Sequence, residues 1–213
     1  MKIYHGSKKT IEDPVYKGSD EHNDYGPAFY LTKDLESAKE WANRNSSVGV
    51  VNFYDFDVSN LKILDLTDKQ HYSVLNWLAI LLKFRILPYN FRNSFARRLQ
   101  FIEDNYFVDV DQYDVVIGYR ADDAFFRFPL DFVTGNLTLE QLEYAFNLGE
   151  LGIQYVLMSE KAIKRIKFKK SEAVEEKYID KYYENVTKAT KMYDELDRDA
   201  EGTRITDLMK EKR

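Results

Sequence analysis

The chain has 213 residues and 44% hydrophobic content, enough for one globular domain with a substantial core and room for an appendage, while two fully independent domains would be a squeeze. The absence of cysteine excludes disulfides, thiolate metal sites and thiol catalysis, and suits a reducing cytoplasm. A formal net charge of −5 gives the whole molecule no attraction for nucleic acid. No signal-peptide core is visible, and the longest apolar run is broken by Lys83 and Arg85. A cytoplasmic protein with no membrane association is expected.

KIYH predicts a short opening strand, and residues 7 to 24, rich in Lys, Asp and Gly, predict a long loop. AFYLT (28 to 32) predicts a second strand. Asp34 is placed to cap a helix over 35 to 43 whose Leu35, Ala38, Trp41 and Ala42 share one side. Residues 48 to 58 alternate as a strand, and KILDL adds another. Helices are expected over 73 to 87 and 91 to 102, parted at Pro88, followed by a buried strand over 113 to 121. Thr138 and Gln141 fit a capping box for a helix over 139 to 148, and strands are expected over 153 to 159 and 162 to 170. Residues 1 to 170 thus read as one α+β domain. Beyond them, Val174, Tyr178, Tyr182, Val186, Ala189, Tyr193 and Leu196 recur at steps of three or four. That spacing predicts one long amphipathic helix with a stop at Gly202, which buries its stripe against the domain, a second copy or another protein.

The run from Lys161 to Lys170 reads as a solvated basic face. His22 and His71 read as surface residues, and three scattered histidines suggest no metal site. More distinctive is His5-Gly6 on one strand with Tyr30 on the next and Trp41 on the adjoining helix. Imidazole offers a donor and an acceptor to ribose hydroxyls, Gly6 admits a ligand to the backbone, and two rings can sandwich a flat cationic heterocycle. Taken singly, each of these residues also fits a structural role.

HGS at 5 to 7, YGPAFYLT at 25 to 32 and LESAKEW at 35 to 41 resemble the ADP-ribosyltransferases of the diphtheria-toxin and poly(ADP-ribose) polymerase type. The chain is more similar still to a bacterial family defined by a domain of unknown function. There the matching text is YHGS, DYGPAFYLT, AKEWA, DVVIGYRADD (114 to 123) and IQYVL (153 to 157), in that order over roughly 1 to 168. The resemblance implies an ADP-ribosyltransferase-like fold, two facing and mostly antiparallel sheets with NAD as substrate in the cleft between them. It implies that His5 and Gly6 hold the adenosine-side ribose, that Tyr30 and Trp41 sandwich nicotinamide, and that Gln154 contacts the nicotinamide ribose.

The family's catalytic position is usually a glutamate, and here it matches Gln154. An amide oxygen can accept a hydroxyl but carries no charge and is no general base, so reduced, redirected or absent catalysis is expected. Asp122 and Asp123 either cap the following helix or supply a ligand, a nucleophile or the missing charge, and Glu160 is a third candidate carboxylate. By analogy, a domain of this type encoded alone implies transfer of ADP-ribose to an unknown macromolecular target. It also suggests the toxin of a toxin–antitoxin pair, with residues 171 to 213 as docking surface for an antitoxin or for self-association. The rival readings are a non-catalytic NAD- or nucleotide-binding module and a pure interaction protein.

Overall fold

Period-two alternation of apolar and polar residues makes the strands, and apolar positions three and four apart make the helices. The computed structural model describes residues 1–44, 48–121, 126–148 and 152–212. In chain order these form β1 (Lys2–Ser7), β2 (Phe29–Leu31), α1 (Leu35–Asn43), β3 (Val50–Phe56), β4 (Ile63–Asp65), α2 (Val74–Phe84), α3 (Phe91–Ser94), α4 (Ala96–Tyr106), β5 (Val115–Tyr119), α5 (Arg127–Thr134), α6 (Leu139–Asn147), β6 (Ile153–Leu157), α7 (Glu160–Ile163), β7 (Ile166–Ala173), α8 (Lys177–Asp194) and α9 (Ile205–Glu211).

The fold is mixed α and β with two sheets. Three strands pair in the order β1-β3-β7, and four in the order β2-β6-β5-β4, where only the β4–β5 pair is parallel. A backbone bridge between Tyr4 and Thr32 joins the sheets. Ile3, Tyr54 and Phe56 from the first sheet share an apolar cluster with Phe29, Leu31, Val115 and Leu157 from the second. Alternation turns Val116 and Val156 to the opposite face, where Trp77, Leu78, Phe128, Phe132 and Leu142 of the helical layer cover them. Helix α1 packs on the outer face of the first sheet through Ala38, Ala42 and Val51.

Several local expectations hold at residue level. The Asp34 carboxylate accepts from the Glu36 amide at 2.9 Å, and Thr138 and Gln141 form the reciprocal capping box of α6. Others need correction. Helix α2 ends at Phe84, short of Pro88, and α4 runs on to Tyr106. Residues 160 to 163 are helical because Ser159 caps them, its hydroxyl accepting from the Ala162 amide at 3.1 Å, so the strand begins only at Ile166. Helix α5 was not anticipated. Its Pro129 reads as a breaker in sequence, yet it sits in the first turn, where an amide has no intrahelical partner to lose.

The tail packs on the rest of the chain. Strand β7 crosses the expected boundary and runs to Ala173, and α8 stops at Asp194 rather than at Gly202. The stripe on α8 is covered by the domain itself. Tyr178 is buried with Ala38 and Ala42 of α1, while Ala189 and Tyr193 enter the helical core. Tyr193 is fully buried, stacks on Phe128 with ring centroids 3.8 Å apart, and donates to Asp131 at 2.5 Å. Arg204 then ties the chain back, donating to the Gly135 carbonyl at 2.8 Å, and Ile205 of α9 is buried. Of the three covers expected for this stripe, the structure shows the domain itself over Tyr178, Ala189 and Tyr193. Among the described residues, no helix is long and apolar enough to cross a membrane.

Candidate functional site

Strand β1 and helix α1 approach each other most closely at Gly6. A Cβ there would lie 2.1 Å from the Ala38 carbonyl oxygen and 2.8 Å from the Ala42 nitrogen. The missing side chain admits the helix, and the same glycine also lines the cavity beside it. Beside this contact lies a cavity of about 560 Å³ lined by His5 and Gly6 of β1, Tyr30 of β2, Trp41 of α1 and Gln154 of β6. Asp24, Ser37, Arg44, Arg85 and Arg120 complete much of its wall. Five residues nominated from sequence on four separate elements thus share one cavity. Asp122 and Asp123 lie outside the described residues. Glu160 does not line the cavity; it is exposed at the start of α7 and pairs with Lys164 at 3.5 Å.

His5 has a defined tautomer. Its Nδ1 lies 2.6 Å from the Tyr30 carbonyl oxygen, which can only accept, so Nδ1 carries the proton and Nε2 presents a lone pair. Burial pushes the imidazole pKa below its ordinary 6.5, and the Arg120 charge adds to this against the opposing hydrogen bond to Tyr30. Neutral imidazole is the form at physiological pH. Tyr30 donates its hydroxyl to the Gly26 carbonyl at 2.5 Å and accepts from the Tyr25 amide at 3.2 Å. Burial raises its pKa far above the ordinary value, so it stays a phenol.

The Trp41 ring, expected to face Tyr30 across nicotinamide, has two arginines against it. The guanidinium carbons of Arg44 and Arg120 lie 3.5 and 3.7 Å from the Trp41 ring centroid, and two cations at those distances require opposite faces. Trp41 therefore carries an arginine on each side. A guanidinium stacked by its face keeps its in-plane donors for other partners, so this indole is a shelf for cationic hydrogen-bond donors.

Gln154 is only 6% exposed, and both amide hydrogens have acceptors: Asp24 Oδ2 at 3.0 Å and the Tyr119 carbonyl at 3.2 Å. Neither partner has a hydrogen to give when Asp24 is ionised, so the network sets the amide orientation and leaves Oε1 as the end without a protein partner among the described residues. The Tyr119 carbonyl also accepts from the Tyr25 hydroxyl at 2.8 Å and from Trp77 Nε1 at 2.9 Å. Tyr25 reaches it through the space left by Gly118, the strand partner of Gln154, where a Cβ would lie 2.1 Å from the Tyr25 oxygen.

Asp24 is the residue that sequence reasoning passed over. It is 5% exposed and accepts from the Ala121 amide at 2.8 Å as well as from Gln154, with Arg85 Nη1 3.4 Å from its other oxygen. Burial raises its pKa to about 6, against the lowering effect of the Ala121 amide, Arg85, Gln154 and Arg120. The available signal was position: Asp24 opens the DYGPAFYLT block. Arg120 likewise sits between VVIGY and ADD, and Arg44 closes the helix that bears Trp41.

The chain belongs to the family described as protein of unknown function, DUF3990, whose model matches residues 1–168. No curated protein and no solved structure matches it.

Proposed function

We propose that this cavity binds NAD as substrate and that the protein is a mono-ADP-ribosyltransferase-like enzyme acting on a macromolecular acceptor. The observation that supports this reading is the convergence of His5, Tyr30, Trp41 and Gln154 on one cavity whose volume, about 560 Å³, suits a nucleotide-sized ligand. The chemistry of the lining fits the parts of NAD. His5 Nε2 and Gln154 Oε1 are two fixed acceptors for ribose hydroxyls. Arg44 and Arg120 on the Trp41 shelf suit a diphosphate, because guanidinium donors match paired phosphate oxygens. The Tyr30 ring is left as the apolar wall for nicotinamide.

In the reaction, the bond between nicotinamide N1 and ribose C1′ breaks and its electron pair leaves with nicotinamide. C1′ becomes cationic and is captured by an acceptor nucleophile, which loses a proton. A neutral Gln154 orients the ribose through its hydroxyl without stabilising that cation by charge. This same observation favours a second reading, a nucleotide-binding module on a catalytic scaffold.

Nicotinamide release from NAD by the purified protein separates the two. Release by the wild type, lost in Tyr30→Ala, supports the transferase reading. Release only by Gln154→Glu supports the binding module, and no release by any of the three contradicts the first reading.

A further inference from the structure

Among the carboxylates that the structure describes, one belongs to the cavity and to Gln154 at once. Asp24 comes from the loop before β2, Gln154 from β6, and their side chains meet at 3.0 Å in a buried contact 130 residues apart in sequence. The Ala121 amide, 97 residues from Asp24, closes the same oxygen from the segment after β5. A buried carboxylate held by donors from separate elements is a built feature, and burying it without use would be an unfavourable choice.

Resting on the NAD reading of the cavity, we infer that Asp24 and Gln154 act as one unit. The carboxylate fixes the amide with its oxygen toward the ligand and supplies beside it the negative charge that a glutamate at position 154 would have carried. Asp24 is a positioning residue in this arrangement, and Gln154 is the group that touches the ribose. The division separates two properties that a glutamate combines: hydrogen-bond geometry at the hydroxyl and negative potential at C1′. The loop of residues 8 to 28, between β1 and β2, brings Asp24 to Gln154 on β6.

The unit is pH-dependent. Ionised Asp24 accepts from Gln154, whereas protonated Asp24 offers a hydroxyl that competes for the amide oxygen and releases the fixed orientation. Its carboxyl titrates at about 6. The groups facing it are Arg85 beyond α2, Arg120 beyond β5, and the hydroxyls of Tyr25 and Tyr30. Among the described residues, Arg44, His5, His22, Asp20 and Tyr4 are the other charged or titratable groups lining the cavity.

Two measurements on the full chain test this. In the first, the side-chain amide resonances of Gln154, identified by their loss in Gln154→Glu, are followed by nuclear magnetic resonance from pH 4.5 to 8. A titration near pH 6 that disappears in Asp24→Asn supports the coupling. Resonances that do not titrate, or that titrate unchanged in Asp24→Asn, overturn it. In the second, nicotinamide release is measured over the same range. The expected wild-type rate falls about tenfold per pH unit below about 6, and Asp24→Asn, which keeps an acceptor oxygen but no charge, loses on the order of 100-fold at pH 7.5. Equal rates in the two proteins at pH 7.5, with wild-type release established, overturn the catalytic role. If the wild type releases no nicotinamide, the NAD reading and the use of the charge in that reaction both fall, and the amide titration still decides the coupling.

Discussion

Along the seam between α1 and α8, charges sit in water and their surroundings favour ionisation. The Lys39 ammonium, with Tyr178 and Lys181, holds the Glu36 carboxyl down at about 2, and Glu40 and Glu36 raise Lys181. At the cavity on the other side of α1, the environment opposes charge: burial raises Asp24 and lowers His5. The seam is built as ordinary surface electrostatics are built, where each pair contributes little. The cavity instead holds ionised Asp24 at a cost to the fold and keeps His5 neutral. The two regions share helix α1, which packs against Tyr178 of α8 and carries Trp41 into the cavity wall.

The largest effect is expected on helix α8. Tyr193→Ala removes a fully buried ring and its contact with Phe128, and is expected to lower unfolding free energy by about 3 to 5 kcal/mol in urea titrations. Tyr193→Phe, which keeps the ring and loses the bond to Asp131, is expected to lose only about 1 kcal/mol.

Next in size is the pH dependence of the cavity. The folded pKa of Asp24, about 6, lies above its ordinary 3.8, so the native state binds the extra proton. The stability this contributes is full below about 3.8 and is lost as pH rises through about 6, a change on the order of 3 kcal/mol. His5 acts in the opposite sense: its lowered pKa gives stability that is present above 6.5 and lost as pH falls. The difference between wild type and Asp24→Asn isolates the carboxylate. Relative to the variant, the wild type is expected to lose stability between pH 4 and pH 7, and a flat difference would falsify the assignment.

Gly6→Ala pushes a methyl into the Ala38 carbonyl and is expected to lower stability by about 1 to 3 kcal/mol while distorting the cavity wall at α1. The smallest effect is expected at the seam. Glu36→Gln should change stability at pH 7 by no more than about 1 kcal/mol, a difference that shrinks in high salt. The Glu36 contribution is present above pH 4.5 and is lost as pH falls toward about 2. Thermal melts at two ionic strengths check this.

What could be read in the sequence follows the range of the interactions. Asp34 and the Thr138–Gln141 box act within one helical turn, and the strand alternation acts within a few residues, so these were legible. His5, Gly6, Tyr30, Trp41 and Gln154 were found because they stand in recognisable blocks, but the close approach of α1 to Gly6 was not legible, since it depends on Ala38 and Ala42 more than thirty residues away. Asp24 was invisible because its meaning lies in Ala121 and Gln154, 97 and 130 residues away. The tail stripe was legible as amphipathic, but periodicity does not say what covers a face. Here Tyr178 and Tyr193 of the same helix enter different apolar clusters.

The most direct test of the central claim is calorimetric titration of NAD into the wild-type protein and into His5→Ala, whose neutral imidazole is assigned to a ribose hydroxyl. Saturable binding at one site per chain, weakened at least tenfold in the variant, is the expected result. Absence of binding to the wild type, or equal affinity in both, would contradict the assignment of this cavity to NAD.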